Sequence, residues 1–130
     1  MPDLASVRWL DGIFDDILRD TQIQEKPMIH VVAIITAKPG LRESVLAIAR
    51  ANIPAVLAED GCIEYSLTVD AEGLGSFQTK FGPDTFVFIE KWRDTAALKA
   101  HAAAPHMAAY GAKVKDMLAG RVIHVLSPAG

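Results

Sequence analysis

Cysteine occurs once in the 130 residues, at Cys62, so no disulfide can close within the chain; a lone thiol fits a reducing compartment. A basic excess is also missing. Lys and Arg number 13 against 16 Asp and Glu, a net charge of −3, which argues against nucleic acid as a partner. No apolar run reaches the ~18 residues that a membrane span needs. The opening residues place Asp3, Asp11, Asp15 and Asp16 among apolar ones without a basic start, unlike a secretory signal. Cytoplasm is the expected compartment. No H-x-x-x-H pattern, cysteine pair or carboxylate cluster marks a metal site. Gly73-Leu74-Gly75 is followed by Gln78 where a nucleotide-binding fingerprint would carry its last glycine, so that reading is set aside.

What is present is a globular composition, 51% hydrophobic and 22% charged, in a chain long enough for one domain with a sizeable core. Residues 1–27 stand apart. Leu4, Val7, Leu10, Phe14, Ile17 and Leu18 recur at helical steps, predicting an amphipathic helix capped by Asp3, followed by a linker over Thr21–Pro27. Its polar face is acidic, against a membrane-surface role. Its apolar face packs on its own domain or on a partner subunit, where it could build a higher oligomer.

From Met28 the pattern changes. Met28–Thr36 is an apolar, β-branched strand with both faces apolar, and Lys38-Pro39-Gly40 turns it into a helix over Leu41–Leu57, which Pro54 should kink or end early. Cys62–Asp70 alternates, with Ile63, Tyr65, Leu67 and Val69 on one side, and reads as a half-buried strand. Ala71–Asp84 is a long loop. Thr85–Trp92 is the third strand. Asp94 or Thr95 caps a helix over Thr95–Ala103, Pro105 starts another over His106–Leu118, Gly120 ends it, and Arg121–Leu126 is the last strand.

The order β-α-β-β-α-β over residues 28–130 predicts an α+β, ferredoxin-like antiparallel sheet with helices on one face. Three strands are apolar on both faces, so the uncovered face becomes an association site. Burying several hundred Å² of it is worth on the order of ten kcal/mol before costs. The expectation is a homodimer with stacked sheets and a monomer that folds poorly alone.

The chemistry gathers where the third strand meets its helix. Phe86-Val87-Phe88-Ile89-Glu90-Lys91-Trp92 ends in a carboxylate and an indole, and His101 and Pro105-His106 follow. Histidine titrates near neutrality, so His101 and His106 are the candidate bases. They stand five apart across a proline and need not share a face. Glu90, on the strand face of Phe86, Phe88 and Trp92, either pairs with Arg93, Lys99 or Arg121, or orients a histidine or takes the substrate proton. Trp92 stacks on an aromatic substrate or anchors core or interface. Tyr65 hydrogen-bonds a substrate oxygen or packs in the core; Met107 and Tyr110 line a cavity or simply pack. His30 and His124 are read as structural or interfacial, and Cys62 as a small buried residue rather than a nucleophile.

Glu59-Asp60-Gly61-Cys62 with Tyr65, then Glu90-Lys91-Trp92-Arg93-Asp94, Ala97-Leu98, His101 and Pro105-His106-Met107, resembles the antibiotic biosynthesis monooxygenase family of dimeric α+β barrels. Within it, the run Pro54–Tyr110, with Gly75-Ser76-Phe77-Gln78 and Pro83-Asp84, looks like the bacterial quinol monooxygenase branch. The likeness covers about residues 28–128 and leaves out residues 1–27. It implies a monooxygenase without cofactor, acting on phenolic or quinol substrates in a pocket between sheet and helices. Haem-degrading relatives use a strand asparagine, a strand-end tryptophan and a haem-ligating histidine. Trp92 stands where that tryptophan belongs, but Ala33 falls near the asparagine's place and Tyr110-Gly111 near the ligand's, against haem degradation.

The expected reaction is therefore oxidation of a quinol or polycyclic phenol to a quinone by O2, by a homodimer with no cofactor and no metal. His101 or His106 would be the base, Glu90 its partner, and Tyr65, Phe88, Trp92, Met107 and Tyr110 the pocket. A deprotonated phenol is electron-rich enough to reduce O2, so base, dry cavity and slot suffice. The alternatives are an isomerase or degradative enzyme for a small oxygenated metabolite, working without O2, and a non-catalytic small-molecule-binding dimer.

Overall fold

The computed structural model describes residues 28–130; the amphipathic helix and linker expected over residues 1–27 lie outside the described residues. Strand β1 (Ile29–Ala37) leads through a glycine turn into helix α1 (Arg42–Leu57), and β2 (Cys62–Thr68) and β3 (Thr85–Trp92) follow. Helices α2 (Thr95–Ala102) and α3 (Pro105–Val114) then precede β4 (Leu118–Leu126). The sheet order is β2-β3-β1-β4 with every neighbouring pair antiparallel. This is the ferredoxin-like α+β arrangement that the element order implies.

The two-residue period of a strand decides which side chains meet the helices. Ile29, Val31, Ala33, Ile35 and Ala37 of β1 are buried, and the first four pair across to Trp92, Glu90, Phe88 and Phe86 of β3. Those residues form the inner face, where Val45, Val56 and Val114 of the helices complete a core around Phe86 and Trp92. The opposite face carries Val32 and Ile34 of β1, Val87 and Ile89 of β3, and Val122 and Leu126 of β4. Val122 and Leu126 there are about half exposed, at 51% and 49%. The β4 end of the second face therefore lacks a cover from the described residues, whereas Val87 at the β3 side of that face is buried.

Several boundaries depart from the periodicity. The chain leaves β2 at Thr68 rather than Asp70, because the Asp70 carboxylate accepts hydrogen bonds from the backbone N–H of Phe81 (3.0 Å) and Gly82 (2.8 Å). An acceptor turned to the loop tip shapes the following turn rather than extending the strand. A bulge at Ile63 between Cys62 and Glu64 breaks the alternation, so Ile63 is exposed and does not share the burial of Tyr65. Pro54 does not end α1, which runs on to Leu57; full burial of Val56 offsets the missing N–H. Helix α3 stops at Val114, and a 3₁₀ turn over Lys115–Met117 feeds directly into β4. Gly120 is thus a strand residue opposite Thr36, not a helix stop.

One glycine positions the site. Gly61 has φ +85°, a conformation that other residues adopt at a cost of about 1–2 kcal/mol. A Cβ there would come 2.5 Å from the Cβ of Ala97 on α2. The Gly61 carbonyl accepts from Arg93 N–H at 2.8 Å, and Arg93 pairs in fork fashion with Asp60 at 3.0 and 3.1 Å. The turn is thereby locked against the start of α2, with Glu59 beside it. Gly61→Ala should lower unfolding free energy by about 2–4 kcal/mol, combining backbone strain with overpacking, as read by urea denaturation.

Candidate active site

A cavity of 630 Å³ lies between the inner sheet face and the pair α2–α3, within the size range of small-molecule sites. Its sheet wall is Val31, Ala33, Ile35, Tyr65, Phe88 and Glu90; Leu98, His101, Met107 and Tyr110 form the helix wall. Ile123 and Val125 of β4 continue the apolar lining at the side, with the cations Arg121 and Lys115. The expected pocket residues Tyr65, Phe88, Met107 and Tyr110 are thus assembled on one space, together with Glu90 and His101.

Trp92 is not on that wall. Its indole is fully buried behind it, with its ring centroid 4.6 Å from that of His101 and its Nε1–H donating to Glu90 Oε1 at 2.9 Å. Its position is that of a backing plate for the histidine rather than a stacking surface for a ligand. Glu90 pairs with none of Arg93, Lys99 or Arg121 in the contacts seen here; its hydrogen-bond partner is the indole, and Arg93 is taken by Asp60. Burial pushes the Glu90 carboxyl above its ordinary value, while the indole bond and the nearby His101 pull it back. Burial also raises the phenols of Tyr65 and Tyr110, so both are neutral hydroxyls able to donate. The Cys62 thiol is raised too, by burial and then by Glu59 and Glu90, the opposite of an activated nucleophile.

The partner of the histidines is Glu59, which the sequence reading did not single out as a site residue. Its Oε2 lies 2.8 Å from His101 Nδ1 and 3.0 Å from His106 Nε2. An ionised carboxylate only accepts hydrogen bonds, so both ring nitrogens carry the N–H toward it. A neutral His101 so held keeps its basic lone pair on Nε2. Positions five apart in an unbroken helix point about 140° away from each other. Here Ala104 is extended, as a residue before proline tends to be, and this break brings the two imidazoles to one oxygen. His101 is buried on the main cavity; His106 is partly exposed and lines a second cleft of 200 Å³ with Asn52 and Lys113. The available signal for Glu59 was its place in the Glu59-Asp60-Gly61-Cys62 motif that travels with both histidines.

This fold and cavity define a class: the chain belongs to the antibiotic biosynthesis monooxygenase family, whose model matches residues 28–113. Among its relatives, the Escherichia coli K12 protein named "Probable quinol monooxygenase YgiN" is 40% identical over 103 residues, 78% of this chain and 98% of that one. The solved structure of Rv0793 from Mycobacterium tuberculosis is similar at a TM-score of 0.65 and 30% identity, over 79% of this chain and 96% of that one. PA3566 from Pseudomonas aeruginosa gives 0.68 at 28% identity, over 82% of this chain and 98% of that one. Among the described residues no helix is long and apolar enough to cross a membrane.

The buried carboxylate supports a pH prediction. A raised folded-state value means the native state holds the Glu90 proton more tightly than the unfolded chain does. That contribution is fully present below the ordinary value of 4.5 and is lost as pH rises through the folded value. Glu90→Gln keeps an acceptor for the Trp92 indole and removes the buried charge. Its melting temperature should exceed that of the parent at neutral pH, and the gap should close in acid, as followed by thermal denaturation across pH.

Proposed function

We propose that the chain is a cofactor-independent monooxygenase that oxidises a quinol or polycyclic phenol to a quinone with O2. The observation that carries this reading is His101, clamped through Nδ1 by Glu59 and placed on the wall of a largely apolar cavity. In that arrangement Nε2 of His101 takes the phenolic proton, and Glu59 fixes the ring and stabilises the imidazolium that forms, the logic of a carboxylate–histidine pair. The phenolate then reduces O2. With an anthrone-type substrate, one oxygen atom becomes the new carbonyl and the other leaves as water with the two hydrogens of the oxidised carbon. Tyr65 donates to a substrate oxygen, and Arg121 and Lys115 offset the negative charge. Family membership and the name carried by the E. coli relative support the same reaction type.

Glu90 enters this reading as a positioning residue: it holds Trp92, and Trp92 packs on His101. Oxygen uptake with a hydroquinone or anthrone should fall about 10²–10⁴-fold in His101→Ala, the usual worth of a general base, and less in His106→Ala. Unchanged turnover in the double variant would remove the base. A carboxylate-held histidine also suits proton shuffling in an isomerase; turnover of substrate under anaerobic conditions would favour that second reading.

The active unit in this proposal is a homodimer closed by the second sheet face, because Val32, Ile34, Ile89, Val122 and Leu126 share that face around His124 and the β4 members are half exposed. Sedimentation should give a dimer at micromolar concentration. Val122→Asp with Leu126→Asp should shift it to monomer and lower its melting temperature.

A further inference from the structure

Glu59, His101 and His106 come from three places in the chain: the turn after α1, the last turn of α2 and the first turn of α3. Each offers one donor atom, and these atoms all lie within 4.8 Å of one another. Two imidazoles with one carboxylate are a donor set that first-row divalent ions take. Ligands at the usual bond lengths of about 2.0–2.2 Å stand about 3–3.5 Å apart around a tetrahedral or octahedral ion. The two Glu59 edges, at 2.8 and 3.0 Å, need to open only slightly. The remaining edge, between the rings, closes by rotation of His106, the less buried of the two. At present Glu59 Oε2 occupies the point on which both nitrogens converge; an ion can take that point as the carboxylate draws back.

We infer that this triad is a binding site for a divalent first-row transition ion, of which zinc and cobalt are the probes. Binding requires each imidazole to change tautomer, the N–H now directed at Glu59 moving to the other ring nitrogen so that the nitrogen facing the triad is free to coordinate. The 200 Å³ cleft lined by His106 opens on one edge of the triad and is the nearest approach from solvent to that ring. An ion at the triad takes away the carboxylate that orients His101, so metal opposes the proton transfer proposed above. That consequence rests on the base assignment; the site itself does not.

The test uses the metal-free 130-residue chain. Co²⁺ should saturate at one equivalent per chain with visible ligand-field bands, and Zn²⁺ should displace it. On Zn²⁺ addition, long-range ¹H–¹⁵N spectra should move the ring nitrogens of His101 and His106 and leave those of His30 and His124 in place. This measurement needs no variant. Glu59→Gln and His106→Ala should each weaken Co²⁺ binding at least about tenfold. Absence of saturable binding at millimolar Co²⁺, unmoved signals from His101 and His106, or affinity that survives both substitutions would overturn the site. If Zn²⁺ fails to bind while His101→Ala still abolishes oxygen uptake, the metal site falls and the base remains. If Zn²⁺ binds and His101→Ala keeps its turnover, the outcome is reversed.

Discussion

One carboxylate oxygen ties the functional end of this molecule together. Glu59 Oε2 receives His101 and His106, which are 42 and 47 residues away along the chain, and so joins the end of α1 to both sides of the α2–α3 break. Little water reaches this junction, since the side chains of Glu59 and His101 are mostly buried. A charge in such a place has to be met by hydrogen-bond donors, and the two imidazoles meet it. The same bonds decide which nitrogen of His101 keeps a lone pair. Structural need and chemical readiness are here one interaction.

A second buried polar pair stands behind the first. Glu90 lies on a strand face otherwise made of Phe86, Phe88 and Trp92, and the indole N–H is its partner. Trp92 in turn packs against the His101 ring. The sheet thus supplies the wall that stops the histidine from turning, and the turn at Gly61 supplies the acceptor that holds its edge. A cavity survives between them because α2 is short and α3 sets off in a new direction after Pro105. The helices therefore do not close down on the inner ends of Val31, Ala33 and Phe88.

Much of this was legible in the residue pattern. The apolar strand runs over 28–36 and 85–92, the Asp94 cap, whose carboxylate accepts from Ala97 N–H, and the break at Pro105 are local, and local chemistry sets them. Six of the eight expected site residues line the cavity, and for Phe88 and Glu90 the reason is equally local, since the period of two puts them on one face. What failed was non-local. The bulge at Ile63 depends on the register between β2 and β3, the early end of β2 on Asp70 reaching across a loop, and the start of β4 on pairing with β1. Trp92 and His106, each weighed for a place at the substrate, do not line the main cavity, because the lean of the helices, not the strand period, decides what stands in front of what.

By itself the sequence determined the α+β class, the inner and outer faces of the sheet, and the family likeness, since these rest on periodicity, capping and motif spacing, each written within a few neighbouring residues. Only the tertiary structure decided that Glu59 rather than Glu90 partners the histidines, and that both rings reach a single oxygen. The reason is geometric. Hydrogen bonds select on distances of about 3 Å, and residues far apart in the chain acquire such distances only once the turn at Gly61, the break at Pro105 and the packing of α2 on β3 are in place.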